Sequence, residues 1–158
     1  MKKNNNAFTL IELLITLSVA SLLITVAIPF MGSFVANNSA REATSLMELD
    51  LLYARNTAVS REVTVEITPV DDEFENGWQI EVIGATDNEL LRNRAALDDR
   101  VNITSAEFTS SAPVRFNNKG ALAAAGTITI CTEGSTGDLD TEIDLLTSGQ
   151  TSFRRFSC

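Results

Sequence analysis

The chain has 158 residues, 44% of them hydrophobic, a formal net charge of −9, two cysteines and no histidine. That length allows one domain with a core of its own beside a helical extension, and the acidity argues against general affinity for nucleic acid, whose phosphates are met by clustered cations. Without histidine the commonest general base is missing, and no Ser/His/Asp, Cys/His or phosphate-loop arrangement is present, so the chain reads as non-catalytic and without a cofactor.

The first element is a basic leader, Met1-Lys2-Lys3-Asn4-Asn5-Asn6-Ala7 (residues 1–7), followed by an apolar run from Phe8 to Phe30 whose one charge is Glu12. Those 23 residues suffice for a membrane helix, which rises about 1.5 Å per residue and needs about 20 to cross the hydrocarbon. A cleaved secretory signal is the rival reading. The run exceeds the ~7–15 apolar residues of such signals, contains Glu12 and lacks a clean small-x-small cleavage site, so retention is expected. Lys2 and Lys3 place the N-terminus in the cytoplasm and everything beyond about Gly32 outside. An acid in such a segment costs about 2–3 kcal/mol at the bilayer centre and less near its edge, which makes Glu12 a candidate functional residue.

The segment Ala7-Phe8-Thr9-Leu10-Ile11-Glu12-Leu13-Leu14 resembles the processing site of type IV prepilins and type II secretion pseudopilins. The resemblance implies cleavage by prepilin peptidase between Ala7 and Phe8, N-methylation of Phe8, and retention of Glu12 as the acid five residues into the mature chain. Ala7 departs from the glycine usual before the cut, but is small enough that processing is still expected. Cleavage creates a cationic α-amine, and an ammonium buried with a carboxylate costs less than either alone. The Glu12 side chain leans back toward the helix start, within reach of its own amine or a neighbour's. The resemblance implies a neighbour's, which would fix the register between subunits; the alternative is a Glu12 that snorkels to the cytoplasmic headgroups.

Pro29 falls late in the run and predicts a kink, with Gly32 close behind adding freedom. A helix then resumes through residues 31–60: Ala40, Ala43, Met47, Leu51, Ala54 and Ala58 recur at three- and four-residue spacing, and Leu46 and Leu49 widen the stripe. With the span this makes one helix of about 50 residues, its second half set against a globular core.

Residues 61–158 switch to period two. Val63, Val65 and Ile67 alternate with Thr64, Glu66 and Thr68, and Trp78, Ile80 and Val82 with Gln79, Glu81 and Ile83, while residues 69–77 read as an acidic connection. Further strands are expected over 101–104, 114–117, 127–131, 142–146 and 151–156, and 89–97 is ambiguous between strand and short helix. Asn117-Asn118-Lys119-Gly120 is a turn signal. The expected fold is α+β: a long N-terminal helix, its first half transmembrane, packed on an antiparallel β-sheet domain.

Cys131 and Cys158 both lie on the outer side, where an oxidising periplasm favours a disulfide between them. Closing about 27 residues would stabilise the domain by roughly 3–4 kcal/mol. Two cysteines without histidine argue against a metal site. Phe116-Asn117-Asn118-Lys119-Gly120, the apolar strand ending in Cys131, the Gly-containing turn and the basic end resemble the globular domain of the GspH/FimT group of secretion pseudopilins and minor type IV pilins. Some members of that group bind DNA through a Gly-Arg-x-Arg motif. Here Gly149 matches, but Gln150 and Ser152 stand in place of its arginines, while Arg154 and Arg155 are displaced and point to opposite faces of a strand. With the net charge reaching −11 once Lys2 and Lys3 are removed, DNA contact by Arg154 and Arg155 is the weaker reading, beside a solvated strand end or an ion pair with an acid such as Asp144. The acids Asp71, Asp72, Glu73 and Glu75, and Asp138, Asp140 and Glu142, match no EF-hand and read as solvated faces. The chain is thus expected to be a minor pilin or pseudopilin that initiates or caps a filament, with a DNA receptor at a pilus tip as the alternative. Its expected partners are other pilins or pseudopilins, prepilin peptidase and the inner-membrane assembly platform. The expected location is the inner membrane, single-pass, with the globular domain periplasmic and extractable into the filament.

Overall fold

The computed structural model describes the chain from Phe8 to Cys158, with the backbone alone at residues 26–30. Helix α1 runs from Leu10 to Arg61, 52 residues, or about 78 Å at 1.5 Å per residue. It ends where Glu62 takes the left-handed conformation (φ 56°) and its N–H reaches back to the Ala58 carbonyl. Eight strands follow: β1 (Thr64–Val70), β2 (Glu73–Ile83), β3 (Glu89–Arg94), β4 (Val101–Thr104), β5 (Val114–Phe116), β6 (Gly126–Thr132), β7 (Asp140–Leu145) and β8 (Thr151–Phe156).

The α+β architecture expected from the sequence is present, with two differences. The strands form two antiparallel sheets of four rather than one, in the orders β3-β2-β1-β5 and β4-β6-β7-β8. Residues 69–77, read as an acidic connection, instead continue both strands into a tight hairpin, with Asp71 (φ 53°) and Asp72 (φ 67°) both left-handed at its tip. Successive left-handed residues match the twist of paired strands, and Asp tolerates that region. The ambiguous segment 89–97 resolves as β3, held to β2 over Trp78–Val82.

One face of α1 seats the core. Ala43, Met47, Leu51, Ala54 and Ala58 are buried against Val65, Ile67, Trp78 and Ile80 of the first sheet and Ile128, Ile130, Ile143 and Leu145 of the second. Alanine at three of those five helix positions lets both sheets approach the backbone closely. Leu46 packs at the edge of this core as its spacing suggests, but Leu49 does not: it is 53% exposed.

Candidate functional site

At the start of α1, Thr9 is extended (φ −81°, ψ 152°) and its hydroxyl oxygen accepts the Glu12 N–H at 3.3 Å. The Glu12 carboxylate in turn accepts the Thr9 N–H at 3.3 Å and its hydroxyl at 3.4 Å. This reciprocal capping box satisfies donors that the first turn leaves open, and a negative group there is favoured by the helix dipole. Phe8 precedes the cap and is 80% exposed. Ala7 lies outside the described residues, as does the side chain of Pro29, where a kink is expected; the backbone at Pro29 is within α1.

Beyond the cap, Leu10, Leu13, Leu17, Leu22 and Leu23 are all exposed, an apolar surface of the kind that marks contact with a partner or a membrane. The hydroxyls interspersed among them are satisfied inside the helix: Thr16, Ser18, Ser21 and Thr25 each donate to a carbonyl three or four residues back, all at 2.8 Å. Such internal bonding lets a polar side chain sit in apolar surroundings at reduced cost. Among the described residues no helix is long and apolar enough to cross a membrane; the run from Phe8 to Phe30 includes positions 26–30, described by backbone alone.

In the globular domain, Asp50 is a residue that sequence patterning overlooks. Its side chain is fully buried, accepting from the Trp78 indole N–H at 2.9 Å and from Arg94 Nε and Nη2 at 2.6 and 3.0 Å, and it also pairs with Arg92. The Arg92 guanidinium lies 4.3 Å from the centre of the Tyr53 ring. Burial alone would raise the Asp50 pKa, but the hydrogen bonds from Arg94, Arg92 and Trp78 outweigh it and hold the carboxyl below its ordinary value. The available signal was an acid between Met47 and Ala54, on the face that the spacing assigns to the core.

The C-terminal end is fastened twice. Cys131 and Cys158 form the expected disulfide, Cα atoms 5.9 Å apart. Beside it, buried Asp140 accepts the N–H groups of Thr132 at 2.8 Å and Cys158 at 2.9 Å. The acidic clusters are therefore more than solvated faces. Asp72 Oδ1 receives the Ser110 N–H at 2.8 Å, and Glu75 receives Asn102 Nδ2 and the Ile103 N–H at 2.8 and 2.9 Å, clasping the β1–β2 tip to neighbouring segments. Among the described residues no three such acids converge on a metal-sized space.

Arg154 is ion-paired with Glu142 across the β7–β8 ladder, rather than with Asp144. Arg155 lies on the opposite face of β8, so the two arginines do not converge. Gly149 serves the local backbone. At φ 79° it turns the chain from β7 into β8, and a Cβ there would lie 1.8 Å from the Gly120 carbonyl oxygen.

Residues 43–149 match the family model of the type II transport protein GspH, and residues 2–28 match the prokaryotic N-terminal methylation motif. Among solved structures, the type IV minor pilin FimU of Pseudomonas aeruginosa (strain PAO1) superposes with a TM-score of 0.63 at 20% identity, over 77% of this chain and 92% of that one. The minor pseudopilin EpsH of the Vibrio cholerae type 2 secretion system gives 0.58 at 12% identity, over 72% and 94%. No curated protein matches at a significant level.

Proposed function

The chain belongs to the GspH family of type II transport proteins, and from that premise we propose that it is a minor pilin or pseudopilin that initiates or caps a pilus-like filament. The observation that carries this reading is a single helix, preceded by Phe8, whose first part presents Glu12 and an exposed apolar surface and whose second part seats the family's globular domain. In this account residues 8–30 cross the inner membrane, and the domain faces the periplasm until the assembly platform extracts the subunit. Prepilin peptidase cuts between Ala7 and Phe8, and the new Phe8 amine of one subunit meets Glu12 of its neighbour. Pro29 lets the helix bend as subunits pack, and the subunit's role is structural rather than catalytic. A DNA-receptor role has less support, because Glu142 already holds Arg154 and the whole chain is acidic.

The test is twofold. Intact-mass analysis of the mature protein is expected to find methylated Phe8 at its start. Glu12→Ala is expected to insert and be processed, yet fail to co-purify with other minor subunits; normal co-purification would remove the registering role.

A further inference from the structure

The second half of α1 and the connection from β3 to β4 (residues 95–100) border a cavity of about 250 Å³. Ser39, Glu42, Ala43 and Leu46 follow one another at helical spacing and give it one wall. Ala96 and Leu97 of the connection and Val101 at the start of β4 add apolar lining. That connection is fastened rather than loose. The Leu97 N–H donates to the Glu75 carbonyl at 2.9 Å and the Val101 N–H to the Asp98 carbonyl at 2.8 Å, so the cavity is formed before anything enters it.

Four polar side chains line this space, and two are already committed. Arg94 gives Nε and Nη2 to Asp50, and Asp98 pairs with Arg100 at 3.3 Å. The other two are free. Ser39 is only 8% exposed, yet among the described residues its hydroxyl has no hydrogen-bond partner, whereas Thr16, Ser18, Ser21 and Thr25 satisfy theirs on helix carbonyls. A buried hydroxyl left in that state is costly, and a ligand that bonds it removes the cost. Glu42 is exposed and, among the described residues, takes part in no ion pair. A carboxylate accepts and does not donate, so the free groups call for a donor and the walls for a hydrocarbon stem. A lysine side chain unites the two: four carbons, then an ammonium with three donors. We infer that this cavity receives a lysine side chain of another polypeptide, its stem on Ala43, Leu46 and Leu97 and its ammonium between Glu42 and Ser39. An acidic side chain would face the carboxylates of Glu42 and Asp98, and a wholly apolar one would leave the Ser39 hydroxyl unanswered. The contact belongs to the globular domain and does not depend on Phe8 or Glu12, whose role Glu12→Ala tests separately.

The experiment uses the full chain in detergent micelles and follows its backbone amide resonances as Nα-acetyl-lysine amide is added. Saturable shifts are expected at Ser39, Glu42, Leu46 and Leu97. The norleucine analogue, which keeps the stem and lacks the ammonium, is expected to bind about three- to fivefold more weakly, the order of one exposed ion pair. Glu42→Gln should bring the lysine compound down to the norleucine level, and Ser39→Ala should weaken it further. Glu42→Lys should abolish its binding while the resonances of both sheets stay in place, which separates lost recognition from lost folding. Equal binding of the two compounds, an unchanged affinity in Glu42→Gln, or shifts scattered over the acidic surface instead of gathered at the cavity would overturn the proposal. So would the absence of any saturable shift.

Discussion

Asp50 shows how much one side chain can concentrate. A carboxylate fully removed from water is tolerated because Trp78, Arg92 and Arg94 converge on it, joining α1 to β2 and β3. Removing it leaves two guanidinium groups and an indole N–H unanswered, so Asp50→Ala is expected to cost about 3–5 kcal/mol. Chemical denaturation followed by the fluorescence of Trp78, the single tryptophan, measures this. Since the folded-state pKa is held below the unfolded one, the contribution is present above about pH 4 and is lost as pH falls through the folded value. The stability gap between the wild type and Asp50→Asn, which does not titrate, should therefore narrow on acidification. Gly149→Ala acts by a different route: its Cβ would meet the Gly120 carbonyl, in a backbone region costly for any residue with a side chain. A loss of about 1–3 kcal/mol in the same assay is expected, whereas an unchanged midpoint would mean that the β7–β8 turn relaxes freely.

Among the elements, β8 rests most heavily on its fastenings, since its residues bury little surface and one flank is open. The Cys131–Cys158 bond closes a 27-residue separation, and Cys158→Ser is expected to lower stability by roughly 3–4 kcal/mol. Amide exchange should accelerate first in β8; uniform acceleration across both sheets would show that the bond supports the whole domain instead. The elements also differ in how far they could be read in advance. Helix α1 was legible because Ala40, Ala43, Met47, Leu51, Ala54 and Ala58 keep one strict face, and β4 and β8 have the bounds that residue pattern suggested. The β1–β2 hairpin was not legible: its tip is Asp71-Asp72 rather than the Asn-Gly or Asp-Gly that usually marks such turns, and acids spread through 71–75 mimic a solvated loop. The division into two sheets was hidden for a different reason, because alternation within a strand says which face is buried but not which strand lies beside it. Asp50 escaped notice, and Asp140 read as part of a solvated face, because their partners lie far along the chain or on the backbone.

The whole molecule divides its surface between an apolar helix and an acidic domain, and Glu12 sits where the first begins. Two duties meet at this residue. In the isolated chain its carboxylate closes the capping box with Thr9; in the proposed filament it offers charge to the Phe8 amine of a neighbour. Replacement by alanine removes both, and loss of such a cap is by itself worth about 1 kcal/mol, so an assembly defect in that variant alone does not separate them. Glu12→Gln does, because the amide oxygen still accepts the Thr9 N–H while the negative charge is gone. A glutamine facing an ammonium recovers one hydrogen bond but none of the charge neutralisation that lets the amine be buried. Glu12→Gln is therefore expected to keep the helix content of the wild type by circular dichroism and to co-purify with partner subunits as poorly as Glu12→Ala. Glu12→Asp, shorter but charged, should recover part of the association. Full association of Glu12→Gln would assign this residue to the cap and leave the register between subunits to the apolar surface alone.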